Sequence, residues 1–332
     1  MLEHGGRLRA AARQYEIPLT DWIDLSTGIN PNGYPVPILD PACWQRLPEE
    51  EDGLEAAAAA YYGNPRLLAL PGSQAAIQIL PALFPPVAVA CLTPIYEEHP
   101  QAWARAGHKV RRLQPLSRAL SAATPNILLC NPNNPTASTL PRSAVLDAAA
   151  QLQRRGGWLI VDEAFGDADP DNCLAPLAGS EQAPNLIVLR SLGKFFGLAG
   201  ARVGFIFGAA EKLDRLREAL GPWSLSGPAR AVARHALADS AWQIQARFAL
   251  AGAAQRLATL LAPLGEVSST ALFSTVATAK VVELFEHFAC HAILTRCFDT
   301  HGLLRIGLPA NEAEWQRLTQ AVNIKPSFNT EN

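Results

Sequence analysis

The chain has 332 residues, is 49% hydrophobic, and balances 28 lysines and arginines against 30 aspartates and glutamates, for a formal net charge of −2. With no block of like charge, nucleic acid and anionic membrane surfaces are not expected partners. No run of about 18 apolar residues exists to cross a membrane, and the polar Met1–Tyr15 stretch lacks the apolar centre of a signal peptide.

The expected elements follow in chain order. The alanine-rich stretch Ala56–Ala60 runs into Tyr61-Tyr62-Gly63 and reads as a helix ending at a glycine. Short apolar runs then alternate with helical patterns. Val87–Leu92 is a strand, Glu97–Ala106 a helix, Asn126–Cys130 a strand, and Pro141–Arg155 a helix with proline in its first turn. Trp158–Asp162, Asn185–Arg190 and Arg202–Phe207 are further strands. Near-continuous apolar strands are covered on both faces, which predicts a mainly parallel α/β sheet. Beyond Phe207 the pattern predicts helices over Ala210–Leu220 and Pro228–Leu261, the second a long linker. Then come β-like Leu272–Ala277, helical Val281–Ile293, β-like Leu303–Leu308 and helical Glu312–Val322, an α+β subdomain, and a polar tail from Lys325 expected to fray. Six cysteines are scattered singly and read as reduced, and the seven histidines read as dispersed, so no metal site is expected.

In parallel α/β sheets ligands bind beyond the carboxyl ends of the strands. Four such segments carry chemistry. In Leu70-Pro71-Gly72-Ser73-Gln74, Gly72 allows a tight turn and Ser73 can cap a helix whose leading N–H groups suit a phosphate. Asn131-Pro132-Asn133-Asn134-Pro135-Thr136 is a rigid turn presenting amides. Val161-Asp162-Glu163-Ala164-Phe165 places a carboxylate at a strand end, where burial demands a cation or strong donors. Arg190-Ser191-Leu192-Gly193-Lys194, continuing to Arg202-Val203-Gly204, sets one lysine in a glycine-rich apolar loop, where a neutral amine can form an imine. Taken singly, each also suits a plain cap, turn, ion pair or surface lysine.

In this order the four segments resemble the class I/II aminotransferases, the fold-type-I pyridoxal-5′-phosphate (PLP) enzymes, from about Asp24 to Val322. The resemblance implies the aspartate-aminotransferase fold: an α/β large domain with a mainly parallel seven-stranded sheet and a small α+β C-terminal domain. The arm would span residues 1–35, the large domain 36–220, and the small domain with its linker helix 221–332. It implies that Lys194 carries PLP as an imine and moves protons, that Asp162 pairs with the ring nitrogen, that Asn134 bonds the ring oxygen, and that Tyr96 stacks on the ring. Gly72, Ser73, Gln74, Ser191 and Arg202 would hold the cofactor phosphate. Arg305 would clamp the substrate carboxylate, with Asn30 lining the same pocket. A homodimer is implied by the resemblance alone, and the reduced cysteines suit a cytoplasmic setting.

The opening Glu3-His4-Gly5-Gly6, followed by Asp24-Leu25-Ser26-Thr27-Gly28-Ile29-Asn30-Pro31, resembles the L-threonine-O-3-phosphate decarboxylases of cobalamin biosynthesis. That implies loss of CO₂ from L-threonine O-3-phosphate to give (R)-1-amino-2-propanol O-2-phosphate, with His4 helping to anchor the substrate phosphate. The alternative is an aminotransferase of the same fold, such as one acting on histidinol phosphate. Three departures stand out: Phe165 where aminotransferases often have Tyr, Leu47 where a Tyr commonly reaches the neighbouring subunit's cofactor, and Ala137 for a Gly, mild if that position does not need φ > 0. Trp22, Trp44 and Trp103 are candidates for an interface, with core packing as the alternative.

Overall fold

The computed structural model describes residues 4–324, so the expectation for the tail from Lys325 lies outside the described residues. Contacts divide these into two compact units: residues 4–32, Pro135–Ser138 and residues 245–324 in one, Gly33–Asn134 and Thr139–Ile244 in the other. The units thus divide after Asn32 and Ile244, where the sequence reading set its boundaries near residues 35 and 220. Among the described residues thirteen strands form: β1 (Ile23–Asp24), β2 (Leu67–Leu70), β3 (Ala88–Leu92), β4 (Lys109–Leu113), β5 (Asn126–Cys130), β6 (Trp158–Asp162), β7 (Leu186–Ser191), β8 (Gly204–Phe207), β9 (Glu266–Ser269), β10 (Phe273–Ala277), β11 (Ile293–Leu294), β12 (Arg296–Phe298) and β13 (Leu303–Gly307).

In the larger unit seven strands make one sheet in the order β2-β8-β7-β6-β5-β3-β4. The pairs β4–β3, β3–β5, β5–β6 and β6–β7 are parallel, while β8 runs antiparallel to both its neighbours. Residues of β5, β7 and β8 are almost wholly buried. Such strands need helices on both faces, and that is why they read as unbroken apolar runs. The reading missed β4, because Lys109, Arg111 and Arg112 break its apolar pattern. An edge strand tolerates exposed charge, which also discourages pairing with another chain. It also missed β2, four apolar residues too short to carry a period. The helix Leu54–Tyr62 ends at Gly63 with φ 68°, as the glycine predicted. The expected long helix is two, Gly227–Ala238 and Ser240–Leu261. They break at Asp239, whose carboxylate accepts the Trp242 N–H at 2.9 Å and so starts a new helix instead of continuing the old. Trp103 is core, as is Trp22 in the smaller unit; of the three candidate interface tryptophans only Trp44 is exposed, at 71%.

The smaller unit holds the antiparallel sheet β12-β13-β10-β9 and the parallel pair β1–β11. Its Pro135–Ser138 segment is tied in by the Thr275 hydroxyl, which donates to the Pro135 carbonyl at 2.6 Å. There Ala137 stands at φ 60°. The position therefore does need the left-handed region, and alanine is strained where glycine would not be. We expect Ala137→Gly to raise stability by about 1 kcal/mol, read from urea unfolding midpoints. An unchanged or lower midpoint would show that the loop relaxes around the alanine.

Candidate active site

Three strand ends of the larger unit build a cradle for an anion. After β2, Gly72 takes φ 76° and the helix Ser73–Ile79 begins one residue later, with no side chain capping it. Ser73 is therefore the first helical residue and not the expected cap, because the chain reverses at a positive φ that glycine supplies. A Cβ on Gly72 would stand 2.7 Å from the Arg202 guanidinium, and one on Gly204 would stand 2.5 Å from the Ser73 nitrogen. The two glycines thus clear a space between a helix N-terminus and a cation. At the end of β7 the Ser191 hydroxyl accepts the Gly193 N–H at 3.3 Å. The Gln74 side chain is turned to another use: it donates to Glu98 at 2.9 Å and accepts from the Tyr96 hydroxyl at 3.3 Å. Its backbone N–H is the part left to serve an anion, and its amide braces Tyr96. Burial, with Glu98 second, pushes the Tyr96 phenol up to about 12, so it stays protonated.

Asp162 ends β6, 5% exposed, and each carboxylate oxygen has a donor. Oδ1 accepts the Ala164 N–H at 2.9 Å and Oδ2 takes the His99 Nε2–H at 2.8 Å. His99 was not singled out in the sequence, although its place three residues after Tyr96, in the first turn of Glu98–Arg105, was a usable signal. His99, Cys130 and Asp162 offer three donor atoms within 4.8 Å of one another. Burial lifts the Cys130 thiol well above its ordinary value, and Nε2 is already spent on Asp162, so the group is a hydrogen-bonded anchor for a carboxylate. Replacing His99 by Phe should lower turnover roughly ten- to a hundred-fold, the worth of one hydrogen bond to a charged group. Activity that survives His99→Phe at wild-type level would remove His99 from the site. The histidines are also less dispersed than they read: His287 and His291 stand four apart, with rings 4.6 Å apart. One ring nitrogen of each faces a backbone carbonyl.

Lys194 is half-buried in the turn after β7, its Nζ 5.4 Å from the centre of the Phe165 ring. Asn134 is half-buried in the turn after β5, where Asn133 donates to the Pro94 carbonyl at 2.9 Å and so ties the Asn134 and Tyr96 loops together. Beneath them lies a charge cluster that sequence reading did not find. Arg190, 2% exposed, donates to Glu163 at 2.9 Å, to Asp167 at 2.7 Å and to the Cys173 sulfur at 2.9 Å. Burial opposes its charge, yet Asp167, Cys173 and Glu163 together hold its pKa well above the ordinary value. Arg190 adjoins Ser191 and Glu163 adjoins Asp162, so one buried guanidinium pins the two strand ends that carry these side chains.

The remaining candidates belong to the smaller unit. Arg305 is 7% exposed, donates to the Ser26 carbonyl at 2.6 Å, and lies 5.4 Å and 5.8 Å from the Phe273 and Phe298 ring centres. Asn30 is buried, its side-chain oxygen accepting the Asn32 N–H at 3.0 Å. His4 is exposed, and so is Leu47 in the larger unit. Within the larger unit, the amine, the anchored carboxylate, the braced phenol and the cleared cradle suit the aldehyde, the ring nitrogen, the ring face and the phosphate of PLP in turn.

The family described as aminotransferase class I and II matches residues 47–322. A threonine-phosphate decarboxylase of Pseudomonas aeruginosa is 49% identical over 97% of this chain and 97% of its own. One from Sinorhizobium is 38% identical over 96% and 97%. Among solved structures, a histidinol-phosphate aminotransferase from Sinorhizobium meliloti in complex with pyridoxal-5′-phosphate superposes with a TM-score of 0.80 at 22% identity, covering 97% of this chain and 94% of that one, a likeness of fold. The chain belongs to the aminotransferase class I and II family.

Proposed function

We propose that the protein decarboxylates L-threonine O-3-phosphate to (R)-1-amino-2-propanol O-2-phosphate, the step that supplies the cobalamin linker amine, with PLP on Lys194. The observation that carries this is the 49% identity to a threonine-phosphate decarboxylase over 97% of both chains. The histidinol-phosphate aminotransferase reading has weaker sequence likeness behind it and rests mainly on likeness of fold, which does not fix a substrate.

When bound, PLP supplies a conjugated ring that accepts the electron pair left at Cα. The chain's own residues do the rest. Lys194 Nζ would hold the cofactor through its aldehyde and, as the free amine, would supply the proton that replaces at Cα the carboxylate lost as CO₂. Asp162, fixed by His99 and the Ala164 N–H, holds the proton on the ring nitrogen. Ser73, Ser191 and Arg202 take the cofactor phosphate, Tyr96 the ring face and Asn134 the ring oxygen. Arg305, with Asn30, takes the substrate carboxylate, and His4 the substrate phosphate. Which Cα bond breaks is a matter of orientation, and the binding energy of the remote phosphate can enforce it. Phe165 brings no hydroxyl to the ring, a loss of about 1 kcal/mol for one hydrogen bond.

A homodimer fits the exposed apolar side chains Val36, Ile38, Trp44, Leu47 and Trp223 in the larger unit. A cytoplasmic setting fits six cysteines that form no disulfide, and no described helix is long and apolar enough to cross a membrane. The deciding experiment incubates the purified protein with PLP and L-threonine O-3-phosphate, without any oxo acid, and assays CO₂. Release supports the reading. Amino transfer only after 2-oxoglutarate is added would replace it with an aminotransferase.

A further inference from the structure

We infer that Ser26 is a positioning residue that joins the His4-Gly5-Gly6 arm and Arg305 into one anion-binding unit, for a small molecule carrying both a carboxylate and a phosphomonoester. The inference rests on the substrate reading above and goes beyond it, because it makes the two anion-facing groups mechanically dependent.

Ser26 sits in the turn after β1, 1% exposed, with every polar atom engaged. Its N–H and its hydroxyl both donate to Asp24 Oδ1, at 3.0 and 2.5 Å. The same hydroxyl accepts the Gly6 N–H at 2.7 Å. Its carbonyl accepts from Arg305 Nη2 at 2.6 Å.

Packing on both sides of the turn leaves no slack. A Cβ on Gly5 would collide with the Ser26 carbonyl, and one on Gly307 would collide with the Thr27 carbonyl. The Gly307 N–H donates to the Leu25 carbonyl at 2.7 Å, so the end of β13 lies directly against the turn. The carbonyl that Gly5 abuts is the carbonyl that fixes one edge of the Arg305 guanidinium. A guanidinium must present a fixed plane to grip a carboxylate through two bonds, and the Phe273 and Phe298 rings beside it strengthen its field. Moving the arm therefore moves the turn, and moving the turn tilts Arg305. This also gives a physical reason for glycine in the arm: any side chain at Gly5 would push the turn away.

The test is a double-mutant cycle on the PLP-loaded protein, with Gly5→Ala, Arg305→Lys and both together. Affinity is read by titration calorimetry for L-threonine O-3-phosphate, L-threonine and inorganic phosphate. L-Threonine has no phosphate for the arm to touch. Coupling predicts that Gly5→Ala still weakens L-threonine roughly three- to tenfold, and that it weakens it no further once Arg305 is lysine. Ser26→Ala keeps the carbonyl but drops the hydroxyl links, so it should give the same pattern more mildly, and it serves should Gly5→Ala not fold. Loss of phosphate and L-threonine O-3-phosphate affinity with L-threonine unchanged, or effects that multiply in the double variant, would overturn the coupling. So would a lowered melting temperature with all three affinities intact, the mark of a merely structural turn. If the wild type binds L-threonine O-3-phosphate no better than L-threonine, the substrate reading fails, while the L-threonine arm of the cycle still decides the coupling.

Discussion

Replacing Lys194 by alanine should abolish CO₂ release from L-threonine O-3-phosphate while leaving the protein folded. The expected loss is at least about a hundred- to ten-thousand-fold, the range for removing a positioned proton-transfer group alone. On the proposed reading two functions leave together, holding the cofactor and supplying the proton to Cα. Lys194 is half-buried in a turn outside the packed core, so thermal unfolding should move little. The PLP absorbance band that depends on the lysine should vanish as well. Substantial CO₂ release from Lys194→Ala would remove the lysine from the reaction and, with it, the whole assignment of the site.

Arg190→Met should have the largest effect on stability. The arginine neutralises Glu163 and Asp167, which are 0% exposed. Taking one partner from a buried ion pair typically costs about 3–5 kcal/mol, because the other charge is left behind. For a unit of this size that is a fall in Tm of roughly 6–20 °C. Removing the stranded charges too, in Arg190→Met/Glu163→Gln/Asp167→Asn, should restore much of the loss, since a buried ion triad is often matched by neutral residues. The pH dependence has a definite sign. Burial already pushes the Glu163 carboxyl above its ordinary value, and Arg190 is the main group pulling it down. Without Arg190 the folded-state pKa rises further above the unfolded one. Stability is then fullest below the ordinary carboxylate range and is lost as pH rises through the raised value. Arg190→Met should therefore unfold more easily at neutral pH than at mildly acid pH. A variant as stable as the wild type at pH 7 would show that the cluster carries no net stabilisation.

The candidate chemistry was legible because each element of it is written locally. Lys194 sits in a glycine-rich apolar loop, Asp162 ends an apolar run, and Gly72 precedes a helix; each of these is a signal within a few residues. The central strands read correctly because burial on both faces removes any need for alternation. The β4 edge strand and the short β2 did not, since one is charged and the other too brief. The break at Asp239 was missed because alanine-rich sequence on both sides favours a helix, and only the Asp239–Trp242 bond shows where one stops.

What sequence alone determined, then, was the order of the main elements, the strand ends that bear the candidate groups, and the family they resemble. These follow from periodicity, turn chemistry and side-chain type, all short-range. Tertiary structure decided the rest. It paired His99 with Asp162 across 63 positions, Arg190 with Glu163 across 27, and Arg305 with Ser26 across 279. It also set the positive φ at Ala137, turned the Gln74 amide toward Tyr96, and buried Trp22 and Trp103 while leaving Trp44 exposed. Such partners are chosen by which strand ends the sheet order brings together and by the need of every buried charge for a counter-group. Neither is visible in the chain until it has folded.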